Sequence, residues 1–234
     1  VLVGLSGYPA SGKSTLAGLV VGHTNELLSN LRDDLSLDAI SNTSGAHAVL
    51  VGLDGWHLSR SALDMMPDPA LAHAKRGAHW TFDADGYVRF VARLREDVAR
   101  AHATVRASWH ADDAGGSTAL ILAPSFDHAA KDPVADAVVI GPHHRIVVIE
   151  GLYAFLGIEP WKQAGEMLDE RWFVDLAEDE ARRRLVQRHV LTGVTKDLKE
   201  AYFRADDNDM PSECSRLLAT SVVLNTSYRW SRYP

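Results

Sequence analysis

The run Gly7-Tyr8-Pro9-Ala10-Ser11-Gly12-Lys13-Ser14 satisfies the pattern G-x-x-x-x-G-K-[ST] and constrains the fold more than any other segment of the chain. The pattern works only between a strand and a helix, and both are predicted beside it. Val1 to Leu5 is a short apolar run of strand type, and Ser14 to Leu31 carries Leu16, Leu19, Val20, Leu27, Leu28 and Leu31 at helical spacing. Glycines let successive backbone N–H groups turn toward one anion, and the following helix adds partial positive charge at its N-terminus. Lys13 is placed to reach outer phosphates, and the Ser14 hydroxyl to ligate magnesium. The competing reading is a glycine-rich turn that binds nothing.

Strands and helices alternate beyond this loop. Val49 to Leu53 and Arg145 to Ile149 read as buried strands, as do Arg171 to Leu176, Ser221 to Leu224 and the short Ala119 to Leu122. Tyr87 to Ala103, Glu178 to Leu191 and Lys196 to Ala205 read as helices. Asp68 to Gly86 and Thr104 to Ser117 read as irregular, and Arg32 to His47 as an exposed polar connection. Ala137 to Ile140 flanks a Gly141-Pro142-His143-His144 turn. Apolar strands alternating with helices predict an α/β fold, a mainly parallel sheet covered on both faces. The order of strands is not readable.

At 234 residues, 46% hydrophobic and 24% charged, the chain has ordinary globular usage and room for one α/β domain with a small lid. A net charge of -7 argues against broad attraction to nucleic acid or an anionic membrane, so phosphate-binding charge has to be local. Cys214, the single cysteine, cannot form an internal disulfide, and no apolar run reaches the 18 or so residues of a membrane span. The expectation is a cytoplasmic protein without nucleic-acid or membrane partners, its oligomeric state left open. The chain opens inside a predicted strand without an initiator Met, which leaves a removed upstream segment open as well.

Two carboxylates follow predicted strands. Asp54 comes after Val49-Leu50-Val51-Gly52-Leu53, and Glu150 after Arg145-Ile146-Val147-Val148-Ile149. In a parallel sheet the carboxyl ends of strands share one edge with the phosphate loop. One carboxylate there can take a proton from an acceptor hydroxyl while another positions a metal, the division of labour phosphoryl transfer needs. The plainer alternative is that each ends a strand or caps a helix.

These segments together resemble the uridine kinase, phosphoribulokinase and pantothenate kinase group of P-loop kinases, over most of the chain. Gly7 to Thr15 looks like the group's phosphate loop, implying nucleotide contacts from Gly7, Ala10, Ser11, Gly12, Lys13, Ser14 and Thr15. Leu53-Asp54-Gly55-Trp56-His57-Leu58 is similar to its "Asp-Gly-Phe-His" segment, which implies that Asp54 is the catalytic base and a further neighbour of the metal. Val148-Ile149-Glu150-Gly151 looks like its "Glu-Gly" strand end, implying metal or phosphate positioning by Glu150. Pro124-Ser125-Phe126-Asp127-His128 is similar to a substrate-side segment. Arg76-Gly77-Ala78-His79-Trp80-Thr81-Phe82-Asp83 and Asn208-Asp209-Met210-Pro211 resemble stretches of less-characterised uridine-kinase-like members. Where uridine kinases proper carry a Tyr and a His against the base, this sequence holds Phe126 and Lys131. The resemblance implies a P-loop NTPase-type domain over residues 1–234, ATP and Mg2+ as donor and cofactor, and a small hydroxyl-bearing acceptor.

Arg182, Arg183, Arg184, Arg188 and His189 share one predicted helix, and 100° per residue puts Arg184 and Arg188 on a common face. By position this segment, about residues 182–200, resembles the group's mobile lid, implying that Arg184 or Arg188 closes over the transferring phosphate. The alternative is a solvated basic face paired with Glu178, Asp179 and Glu180. His57, Arg60, Phe82, Asp83, Phe126, Asp127 and His128 are the candidate acceptor-pocket residues, with surface or core roles as the competing reading. Trp56 and Trp80 are read as packing rather than stacking residues. His57, His79, His128, His143 and His144 lack zinc-site spacing. A nucleotide switch or ATPase is the rival activity, yet no N-K-x-D motif occurs, and Asp83-Ala84-Asp85-Gly86 matches D-x-x-G only within a loop.

Overall fold

The computed structural model describes residues 1–34, 47–108, 120–209 and 222–225. Cys214, Met210-Pro211 and most of the polar connection before His47 lie outside them. Five strands form one parallel sheet: β1 (Leu2–Gly7), β2 (Ala48–Gly52), β5 (Ile146–Glu150), β6 (Glu170–Asp175) and β7 (Val222–Asn225), in spatial order β2-β5-β1-β6-β7. β1 sits at the centre and every one of its residues is buried. Its side chains alternate between two apolar faces, as a strand's period of two requires. Leu2, with Val147 and Ile149 of β5, joins one cluster, and Val3 and Leu5, with Val148 of β5, join the other.

The first face is covered by α4 (Ala84–Ser108) and α5 (Trp161–Glu166), the second by α1 (Lys13–Asp34). α4 begins three residues earlier and runs five residues further than the periodicity predicts, absorbing the start of the stretch read as irregular. A short helix, α2 (Arg60–Asp64), precedes the stretch read as irregular from Asp68 to Gly86, which itself holds a second, α3 (Pro69–Ala74), and a 3-10 turn at His79–Thr81. Each short helix has a side-chain cap that overrides its weak periodicity: Ser59 Oγ accepts from Ala62 N, and Asp68 Oδ1 from Leu71 N.

The main departure concerns β3 (Ile121–Asp127) and β4 (Asp132–Ile140), which pair antiparallel with each other in a ribbon separate from the parallel sheet. Only the first half of β3 has the look of a strand in sequence, because Pro124 marks a shift of register between Ala123 and Ser125. α6 (Glu178–Leu191) matches its predicted span, and α7 (Leu198–Arg204) continues into a wide turn at Ala205–Asp209. Leu185 and Val186 of α6 pack on Ala201 and Ala205, so the two helices form one unit with its own small core. Among the described residues no helix is long and apolar enough to cross a membrane.

Candidate active site

Strand register assembles the site. Glu150 at the end of β5 lies level with Leu5 of β1 on one side and Gly52 of β2 on the other. The phosphate loop leaves β1 two residues after Leu5, and Asp54 stands two residues after Gly52. The sheet therefore delivers both sequence-predicted carboxylates and the loop to one edge, with Glu150 between the other two.

The loop has the backbone its pattern requires. A Cβ on Gly7 would come within 2.8 Å of the Val174 carbonyl oxygen and 2.9 Å of Ser11 Oγ, so β6 permits only glycine here. Ala10 takes φ 60° and Gly12 φ 90°; the left-handed alanine costs about 1–2 kcal/mol, a strain tolerated at ligand-binding loops. Ser11 N donates to the Tyr8 carbonyl at 3.1 Å, and Leu16 N closes the first turn of α1 on the Gly12 carbonyl at 2.9 Å. Lys13 Nζ donates to the Tyr8 carbonyl at 3.3 Å, curling back over the loop. Among the described residues Ser11 Oγ is buried without a hydrogen-bond partner.

Burial raises the Glu150 carboxyl above the ordinary glutamate value, Lys13 opposes the rise, and Asp54 adds to it. The Ser14 hydroxyl, beside the same carboxylate, opposes the rise as well. A hydroxyl and a carboxylate beside a lysine form an all-oxygen donor set of the type that holds magnesium through one or two protein groups and substrate phosphates. Among the described residues no cluster of three or more His, Cys, Asp or Glu could hold a metal ion.

Asp54 occupies a 3-10 turn, Leu53–Trp56, with its side chain 55% exposed. The turn is anchored by Leu53 and Trp56, both buried, and by Gly55, whose backbone lies against Pro124 of β3. Trp56 packs on Tyr87 and Phe90 of α4 and is a core residue. His57 Nδ1 lies 2.8 Å from the Asp54 carbonyl oxygen, which can only accept, so Nδ1 carries the proton and Nε2 is left as an acceptor. Burial lowers the His57 pKa, Asp54 opposing, which favours the neutral ring. The imidazole is held between Phe82, at 3.9 Å, and Phe126, at 5.0 Å.

The other acceptor-side candidates divide. Phe82 is a core residue against Tyr153 and Trp161 as well as a wall for His57. Asp83 caps α4 by accepting from Gly86 N at 2.8 Å, and Asp127 caps the ribbon tip by accepting from Ala129 N at 2.7 Å and Ala130 N at 3.1 Å. Both carboxylates thus have local structural duties. Arg60 and His128 are exposed, His128 edge-on to Phe126.

One pair escaped the sequence. Arg76 Nη2 donates to Asp132 Oδ1 and to the Leu58 carbonyl, both at 2.9 Å, its Nη1 donates to the Lys131 carbonyl at 2.5 Å, and Asp132 also accepts from Arg60 N at 2.9 Å. The cation lies over Phe126 as well, 5.7 Å from its centroid. Arg76 thereby straps the β3–β4 ribbon to the segment after Asp54. Residues 56 apart pair here, and no local signal marks them.

On the opposite side of the loop, Arg184 and Arg188 of α6 line one cavity of about 270 Å3 with Ala10, Gly12, Lys13, Ser14 and Thr15. Their neighbours turn elsewhere: Arg182 pairs with Asp206 at 2.5 Å, and His189 is buried. Hydrogen bonds from Arg183 and then Arg184 hold the Glu180 carboxyl down at about 2.

No family model matches the chain. It is 45% identical over 157 residues to the ATP-dependent kinase-like protein notR' of Aspergillus versicolor, covering 67% of this chain and 82% of that one. It is 34% identical over 211 residues to the Schizosaccharomyces pombe protein called "Putative uridine kinase C227.14", covering 90% and 75% respectively. The chain belongs to the uridine-kinase-like P-loop kinases. The crystal structure of YFH7 from Saccharomyces cerevisiae has the same fold, with a TM-score of 0.77 at 21% identity over 97% of this chain and 93% of that one.

Proposed function

We propose that the chain transfers the γ-phosphate of ATP to a hydroxyl of a small metabolite, a nucleoside, sugar or vitamin-like acceptor. The observation that carries this reading is the register that sets Glu150 between the phosphate loop and Asp54. Lys13 and the backbone of residues 7–15 hold the phosphates, and Arg184 and Arg188 meet them from the far wall of the same cavity. Ser14 and Glu150 are the residues that would hold Mg2+, with Asp54 a further neighbour; when bound, the ion would supply positive charge against that of the phosphates. The exposed Asp54 carboxylate accepts the proton of the acceptor hydroxyl as the new oxygen–phosphorus bond forms and the bond to the β-phosphate oxygen breaks, releasing ADP. His57 Nε2, held as an acceptor by the Nδ1 contact, can take a hydrogen bond from a second hydroxyl of the substrate. Phe126, Arg60 and His128 border the same side, and Phe82, Asp83 and Asp127 support it through packing and capping.

ADP release measured over a panel of nucleosides, sugars, sugar acids and vitamins tests the proposal. One compound should stimulate release. Lys13→Ala should abolish Mg·ATP binding, and Asp54→Asn should retain binding while losing about 10²–10⁴-fold in transfer. Sustained hydrolysis that no acceptor stimulates would refute the kinase reading in favour of an ATPase.

A further inference from the structure

Four arginines fall within seven residues of α6, and their partners sort them. Arg182 is committed to Asp206 through both Nε and Nη2, each at 2.5 Å, and stacks over Tyr202. Arg183 is committed to Glu180, its Nε donating to Oε2 at 2.7 Å and its Nη2 to Oε1 at 2.8 Å. Arg184 differs. It donates only Nε to Glu180 Oε1, at 2.7 Å, and among the described residues neither of its terminal nitrogens makes a hydrogen bond. Arg184 also lines the phosphate-loop cavity. Arg188 lies one turn further on the same wall, and among the described residues it has no such anchor.

We propose that Glu180 is a positioning residue for phosphoryl transfer: it grips Arg184 by Nε and so presents the two-pronged terminal edge of that guanidinium to the phosphates of the donor nucleotide. The inference rests on the kinase reading above and deepens it by separating the two cavity arginines. A guanidinium held at Nε has lost its main rotational freedom while keeping the paired N–H groups that match phosphate oxygens. An arginine oriented before the nucleotide arrives loses less entropy on binding than one free to rotate. Arg183 completes the device, since its two bonds fix the carboxylate plane that Arg184 meets. Glu180 itself touches no phosphate and acts through Arg184.

The contact is half exposed, 42% for the Arg184 side chain and 30% for Glu180, and exposed pairs one turn apart contribute little to folding. Function and stability therefore separate cleanly. In the full chain, Glu180→Ala should slow acceptor-free ADP release from Mg·ATP about tenfold with the thermal midpoint unchanged, and Glu180→Gln, whose amide oxygen can still accept from Nε, should recover most of the rate. Arg184→Ala should show the same loss, and Glu180→Ala added to it should cost nothing more, because groups acting as one unit are not additive. Multiplying losses in the double variant, or faster release in Glu180→Ala, would overturn the inference. Titration with a fluorescent ATP analogue separates it from the reading beneath. Wild-type binding that Lys13→Ala abolishes leaves only the Glu180 inference at stake, whereas no wild-type binding overturns both.

Discussion

Gly55 offers the most direct test of how the fold sets the proposed base. It follows Asp54 in the 3-10 turn, and a Cβ placed on it would stand 2.5 Å from the Pro124 carbonyl oxygen, 2.6 Å from its carbon and 3.0 Å from Ser125 N. All three are backbone atoms, so no flexible side chain can swing aside. Ordinary contact begins near 3.4 Å, so Gly55→Ala forces the turn and β3 apart by about 0.9 Å. β3 is itself tied down by its ladder with β4 and by the Arg76 strap, and Leu53 and Trp56 hold the turn from inside. Overpacking of this kind costs about 1–3 kcal/mol, and each kcal/mol lowers the melting midpoint of a chain this size by about 2–4 °C. A displacement near 1 Å at a catalytic group costs on the order of 10²-fold in rate. Gly55→Ala should accordingly lose about 10²-fold in acceptor-dependent ADP release, while affinity for a fluorescent ATP analogue stays within twofold, because the phosphate loop hangs from β1. A variant with the expected loss of melting temperature but wild-type turnover would refute the link between this contact and the chemistry. An unchanged melting temperature would refute the packing argument itself.

Other outcomes follow from the same geometry. Arg76→Ala removes the strap, taking the guanidinium donor from the Leu58 carbonyl and leaving the Asp132 carboxylate only its bond from Arg60 N; circular-dichroism melting should show a loss of about 1–3 kcal/mol, with the acceptor KM rising more than that of ATP. Asp83→Ala should cost about 1 kcal/mol through the lost cap of α4, and kinetics near wild type would mark it as structural, whereas a raised acceptor KM with little loss of stability would mark it as a substrate contact. Because burial raises the Glu150 carboxyl, the folded state holds its proton to higher pH than the unfolded chain, so this group's contribution favours folding below the raised value and fades as pH rises through it. Activity should run the other way. The acid limb of kcat/KM for Mg·ATP, which reports the free enzyme, should lie above the ordinary glutamate range and move in Glu150→Gln, as pH–rate curves below saturating Mg·ATP would show.

Chemistry that depends on neighbours in sequence was legible before any coordinates. The phosphate loop, the helix after it and the two strand-end carboxylates follow from local pattern, because a strand's apolar run, a turn's glycines and a helix N-terminus are set within a few residues of one another. The face shared by Arg184 and Arg188 is equally local, a matter of 100° per residue along α6. Strand order was not legible, and with it the fact that Glu150 stands between Leu5 and Gly52, since parallel pairing joins residues about a hundred positions apart or more. Nor was the separate ribbon, whose bulge at Pro124 hides half of β3, nor the Arg76–Asp132 strap that presses it against Gly55. Asp83 and Asp127 show the converse limit, because sequence marks a carboxylate beside a motif, whereas only the folded backbone reveals the N–H groups it caps. Local rules therefore determined the donor half of the proposed site, and long-range packing alone decided the geometry of its proposed acceptor half.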